Sequence, residues 1–225
     1  FEEDNSKKNL FLDEKDYFVI EYFDFLTLNG DKKVKIKNLG EKFASINSFF
    51  FEYLKEYHIP AAFVKNEDKT SLKFIKYKKF PFSIRILNVV DKRMAKIFNK
   101  KEGELLSLPV FEIHSGNNKD SLISESHLVA FDLCSTEDFK VINRICSKVN
   151  AVLKSFFERR GYLMAETTCN FGKFDEKVFV VDDFTPRSLK VVPLNKDIKI
   201  IDPYKFATSV EIRHYTDHLF NLMSA

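Results

Sequence analysis

Residues 135–161 read STEDFKVINRICSKVNAVLKSFFERRG, the clearest helical pattern in the chain. Apolar Phe139, Ile142, Ile145, Val149, Val152, Leu153 and Phe156 recur three and four positions apart, which puts them on one face of a helix. Ser135 supplies an N-cap oxygen, and Asp138, three positions on, stands in for the usual Glu or Gln of a capping box. Arg159 and Arg160 suit the negative end of the helix dipole, and Gly161 stops the run. An apolar stripe this long has to be covered by a sheet or another helix.

Working outward, residues 162–168 and 177–182 read as strands, and residues 209–222 as a closing helix. Upstream, residues 17–23, 61–64, 73–77 and 82–87 are β-rich, and Asn29-Gly30 is a strong turn signal. One helix interrupts them from about Glu41, with Phe43, Ile46, Phe50, Tyr53, Leu54 and Tyr57 at helical spacing until Ile59-Pro60 ends it. Strands first, then long helices mixed with strands, predict an α+β fold of two lobes with a cleft between them. The expected division is 1–84, an N-terminal antiparallel β lobe with one helix, and 85–225, a larger α+β lobe.

At 225 residues the chain can bury a sizeable core, and its 44% hydrophobic and 31% charged residues exclude disorder. No apolar run approaches the ~18–20 residues of a membrane span, so no membrane partner is expected. No signal peptide opens the chain, which begins on Phe1, so a few native residues are expected before it. The net charge of +3 comes from 36 basic and 33 acidic residues interspersed along the chain, too balanced to call for nucleic acid. Cys134, Cys146 and Cys169 have no metal-type spacing and read as reduced thiols of a cytoplasmic protein, Cys146 in a helix core. The 25 phenylalanines read as core rather than as base-stacking platforms.

Several chemistries are excluded. The glycines, at 30, 40, 103, 116, 161 and 172, are too far apart for a Walker loop, a Rossmann fingerprint or a kinase glycine-rich loop. His214 and His218 lie four apart with no third ligand nearby, so they read as a solvent-facing pair. No serine sits in a nucleophile elbow.

From Asp24 onward the order of short motifs is specific. Asn29-Gly30-Asp31-Lys32-Lys33 is followed by Gly40 opening the first helix, Phe51-Glu52-Tyr53-Leu54, Ala95-Lys96 and Glu102-Gly103-Glu104-Leu105. Then come Glu112, Asp120-Ser121-Leu122-Ile123-Ser124-Glu125-Ser126-His127, Lys148-Val149-Asn150-Ala151, Phe171-Gly172 and Asp182-Asp183-Phe184-Thr185-Pro186. In this order and spacing the chain resembles the SAICAR synthetase family nearly end to end. The resemblance implies a sheet lobe somewhat like a kinase small lobe above a larger α+β lobe. It also implies ATP-dependent joining of aspartate to a carboxylated aminoimidazole ribotide in purine biosynthesis. Such chemistry needs lysine and arginine donors for phosphates, carboxylates for Mg2+, and positive charge aimed at the transferring phosphoryl group.

Carried over residue by residue, the resemblance makes Lys7 and Lys76 the candidate nucleotide contacts. Asn88, Arg93, Arg187 and Lys190 become candidate substrate or anion contacts, and Asp120, Glu166, Asp182 and Asp183 candidate metal ligands. Other family positions are substituted. Asn9 and Thr168 stand for lysines, Leu39 precedes Gly40 where the family has lysine, and Asn170 stands for a metal-binding glutamate. Leu87 replaces the arginine that grips the ribotide, a change that removes a charged contact worth roughly 1.5–3 kcal/mol. Arg187 replaces an aspartate and Lys190 an arginine. The expectation is therefore a divergent paralogue with impaired or lost ligase activity, weak or absent binding of Mg2+ and ATP, and a cleft that holds a phosphorylated metabolite or nucleotide. A working ligase with altered substrate and a purely structural, partner-binding protein are the alternatives, and a homodimer is left open.

Overall fold

The computed structural model of the chain describes residues 7–11, 16–28, 32–115, 121–182, 184–195 and 197–224. In chain order the elements are β1 (Lys7–Phe11), β2 (Tyr17–Tyr22), β3 (Phe25–Leu28), β4 (Lys32–Lys35), α1 (Leu39–Glu56), β5 (Phe63–Asn66), β6 (Ser71–Ile75) and β7 (Lys78–Val89). They continue with α2 (Lys92–Phe98), β8 (Leu105–Ser115), β9 (Leu122–Ile123), α3 (Glu125–Ala130), α4 (Thr136–Glu158), β10 (Tyr162–Phe174), β11 (Lys177–Val181), β12 (Leu189–Pro193) and α5 (Ser209–Met223). The α+β class read from the sequence holds.

The capped stripe becomes α4 as expected: the Ser135 hydroxyl accepts from the Asp138 N–H at 3.1 Å, and Gly161 follows with φ of +78°. The Asp138 carboxylate does not close a capping box; it accepts from Lys173 at 3.0 Å, pinning the start of α4 to the far end of β10. At the other end Arg160 donates to the Leu222 carbonyl of α5 at 2.7 Å and lies 3.7 Å over the Phe156 ring.

Two antiparallel sheets carry the fold. One has the order β1-β2-β6-β5, the other β11-β10-β7-β8-β9, and β3-β4 forms a separate hairpin. The long β10 pairs with β7 along one edge; its other edge is shared end to end by β12 and β11. β7 runs unbroken through residue 84 and pairs with both β8 and β10, so the strand expected at 82–87 lies wholly in this second sheet. Between the sheets runs an aromatic seam. Phe50 of α1 lies 5.5 Å from Phe156 of α4, and Phe51 lies 5.3 Å from Phe184. These rings are at most 3% exposed, and burying each contributes about 1.5–3 kcal/mol. The three cysteines are buried free thiols, Cys146 on α4 facing Cys169 on β10.

Two glycines are fixed by close approach. A Cβ on Gly40 would lie 2.5 Å from the Tyr22 carbonyl oxygen, so only glycine lets α1 start against β2. One on Gly172 would lie 2.5 Å from the Tyr77 ring.

Candidate functional site

Strand alternation gives the six-stranded sheet one apolar and one polar face. Ile84, Ile86 and Cys169 belong to the buried core, whereas Arg85 pairs in register with Thr168 of β10 and Glu112 of β8, and Leu87 with Glu166. The polar face thus collects Arg85, Glu112, His114, Glu166, Thr168 and Asn170.

Arg85 is its centre. Its Nε donates to Glu166 Oε1 at 2.8 Å and its Nη2 to Oε2 at 2.6 Å, a two-pronged pair. Nη1 donates to Asp91 Oδ2 at 2.8 Å and to Glu112 Oε2 at 3.3 Å. His114 Nε2 lies 3.1 Å from the same Glu112 oxygen, and Arg93 donates to the other one. Exposure is 1% at Glu166, 5% at Glu112 and 8% at Arg85, so these charges are solvated mainly by one another, with the Tyr204 hydroxyl also hydrogen-bonded to Glu166. Burial alone would push the Arg85 guanidinium down, but the bonds and charge of Glu166 hold it above its ordinary value. Burial would likewise raise Asp91; the Met94 N–H, which it caps, and Arg85 hold it low.

A second cluster lies at the other end of the face. Asp182 follows β11 with φ of 64°, a left-handed conformation that aspartate tolerates. It accepts from Lys7 at 3.4 Å and from Lys79. Burial raises this carboxyl, and the charges of Lys7 and Lys79 outweigh it, so it ends below the usual carboxylate range. Nearby, Asn47 Oδ1 of α1 accepts from the Phe184 N–H at 2.5 Å. Val181 pairs with Asn170, four positions and about 13 Å along β10 from Glu166.

Glu166 and Asp182 therefore sit in separate ion-pair clusters. Asp120 and Asp183, the other two carboxylates expected at a metal, lie outside the described residues. Among the described residues no group of three His, Cys, Asp or Glu side chains is placed to hold a metal ion. The fit to a divalent metal is poor: both Glu166 oxygens face a guanidinium and both Asp182 oxygens face lysines.

The remaining candidates scatter. Lys76 lies part-buried at the β6–β7 connection, its N–H donating to the Asp16 carbonyl at 2.8 Å. Asn88, expected to meet substrate, is 2% exposed and paired with Asn150 at 2.7 and 3.1 Å. Lys190, expected on the cleft wall, is 6% exposed; its Nζ donates to the Pro186 and Pro203 carbonyls at 2.8 and 2.7 Å, under the rings of Tyr204 and Phe206. Exposed Arg187 donates to the Thr27 carbonyl of β3. Leu87 is fully buried, with Val90 and Met94 around it. His218 is not the solvent-facing residue expected: its ring packs 4.8 Å from Tyr162, and its Nε2 is buried without a partner among the described residues.

Sequence reasoning missed Arg85, Asp91 and His114. The available signal was Arg85 itself, a lone charge in the apolar run Phe82-Ser83-Ile84-Arg85-Ile86-Leu87.

Comparison with known proteins agrees with this architecture. A sequence model of the SAICAR synthetase family matches residues 6–202. The chain is 31% identical over 192 residues to phosphoribosylaminoimidazole-succinocarboxamide synthase of Clostridium botulinum (strain Langeland), covering 84% of this chain and 82% of that protein. It is 33% identical over 187 residues to the synthase of Clostridium novyi (strain NT), covering 82% and 80%. Among solved structures, a SAICAR synthetase in complex with ADP superposes with a TM-score of 0.86 at 24% identity, covering 99% of this chain and 97% of that one. The SAICAR synthetase of Pyrococcus horikoshii OT3 gives 0.85 at 23%, covering 97% of both. At such identities the structural likeness speaks for the fold.

Proposed function

The chain belongs to the SAICAR synthetase family, and from that premise we propose that it keeps the family scaffold while its ligase activity is impaired or lost, its cleft holding a phosphorylated small molecule. The observation that carries this reading is where the positive charge has gone. Leu87, at the position the resemblance gives to a phosphate-gripping arginine, is enclosed by Val90 and Met94. Arg93, Arg187 and Lys190 each donate to the protein's own acceptors. Phosphoryl transfer asks for several cations aimed at one group, and these three are directed elsewhere. At the other end, Lys7 and Lys79 share the single carboxylate of Asp182, and Lys79 is 39% exposed. Lys79, the more exposed of the two, is the cation at that end best placed to turn from Asp182 to an anion.

The solved relative that carries ADP makes a nucleoside diphosphate the natural first probe. The protein would be incubated with ATP, Mg2+, aspartate and carboxyaminoimidazole ribotide while ADP release is followed, and melted in parallel with ADP or the ribotide. The expected result is thermal stabilisation without turnover, with the shift lost in Lys79→Met. Turnover would identify a working ligase. Absence of both turnover and stabilisation would favour a structural, partner-binding role.

A further inference from the structure

We propose that Arg85 is a resident cation that takes the place of a divalent metal at Glu166, making that end of the cleft metal-independent. The inference rests on the family reading of Glu166 as a metal ligand and adds to it the group that replaces the ion.

Three observations carry it. The first is occupancy. The two oxygens of Glu166 meet Nε and Nη2 of Arg85 at 2.8 and 2.6 Å, and Nη1 reaches Asp91 at 2.8 Å and Glu112 at 3.3 Å. Three carboxylates converge on one guanidinium as they would on an ion. Mg2+ would need its oxygen ligands at about 2.0–2.1 Å in an octahedron, which cannot form while the fork holds Glu166. The second is charge. Three carboxylates face Arg85 and Arg93, so little negative charge is left to attract a dication, and an ion entering beside Arg85 would meet a like charge inside a buried site. The third is placement. Arg85 lies two residues before Leu87 on the same strand face, so one sheet position lacks the arginine that the family resemblance expects while its neighbour carries one turned onto Glu166. Arginine suits the role because it stays protonated and its planar fork matches a carboxylate.

A purely structural salt bridge would give the same fold, so the test must read metal rather than stability. Mn2+ alone, without nucleotide, would be titrated against the wild type, Arg85→Lys, Arg85→Met, Glu166→Gln and the double variant Arg85→Met/Glu166→Gln, with free Mn2+ read by electron paramagnetic resonance. The expected result is no Glu166-dependent binding in the wild type or Arg85→Lys. Arg85→Met should gain affinity by about tenfold or more, since a positive charge within about 4 Å of the ion is removed, and the double variant should lose that gain. Wild-type binding abolished by Glu166→Gln would overturn the proposal, as would an Arg85→Met protein that folds and gains nothing. If Arg85→Met fails to fold, Mn2+ in the refolding buffer should restore it, and failure to do so also counts against the proposal. Turnover in the ligase assay would overturn the functional reading alone, because the Mn2+ titration contains no substrate.

Discussion

The two ends of the polar sheet face solve one problem in different ways. At one end, Glu166 is 1% exposed and is held by both prongs of a guanidinium on the neighbouring strand. At the other, Asp182 is 18% exposed at its side chain and is met by two lysines on flexible stems, one of them 39% exposed. Arginine presents a planar fork that loses little freedom on pairing, whereas lysine is a mobile point charge that can exchange one anion for another. The first end is therefore committed to the protein, and the second is the one we propose for a ligand. Both carboxylates are metal-ligand candidates by family resemblance, so their surroundings, rather than their identity, set what each can do.

The sharpest way to break this contrast is at Arg85. Arg85→Met leaves Glu166 as an unpaired buried charge and should destabilise the fold by about 3–5 kcal/mol, read as a lower midpoint in urea. Adding Glu166→Gln should recover much of the loss. An effect below about 1 kcal/mol would mean that the end is more hydrated than its exposure indicates.

Asp182→Asn should act more on binding than on stability. Because its partners are partly exposed, the stability loss should be about 1 kcal/mol or less and should shrink further in 1 M salt, where the screening length is about 3 Å. The affinity for ADP should rise, since Lys79 loses its counter-charge. Weaker binding would place the anion elsewhere.

The smallest effect expected is one of pH. The Asp182 carboxyl is depressed in the folded chain, so its contribution is present above the unfolded value of about 3.9 and is lost as pH falls through the folded one. The difference in melting temperature between wild type and Asp182→Asn should hold from neutral pH to about pH 5 and vanish in stronger acid. The penalty of Arg85→Met relative to Arg85→Lys should also shrink in acid, because protonation of Glu166 removes the unpaired buried charge that causes it.

Legibility in the sequence followed the range of the interactions. α4 was readable because its stripe, its Ser135 cap and Gly161 all lie within one segment. The strands expected at 73–77 and 82–87 overlap β6 and β7 for the same reason. β8 was not foreseen: Pro109 interrupts its alternation, and the register against β7 shifts between Leu87 and Val89. α2, at seven residues, is too short to show a period. At the candidate site, Glu166 and Asp182 were singled out from their motifs, but the partner of Glu166 lies 81 residues away and those of Asp182 175 and 103 away, so neither pairing could be read. The pairing of Lys190 with two carbonyls was equally hidden, since a lysine beside a strand gives no sign that it will be buried.

The buried thiols give the chain a clock. Burial pushes Cys134 up to about 11 and Cys169 up to about 12, and raises Cys146 as well, with Cys169 beside it. A thiol held that high has almost no thiolate at neutral pH, and Cys146 and Cys169 are shut between α4 and β10. An alkylating reagent can reach them only when the helix lifts off the sheet, so the rate of labelling measures how often that happens. Cys134, at the start of α4 and 7% exposed, should label earlier if the helix peels from its N-terminal end. The order in which the three are modified would thus record the direction in which the molecule opens.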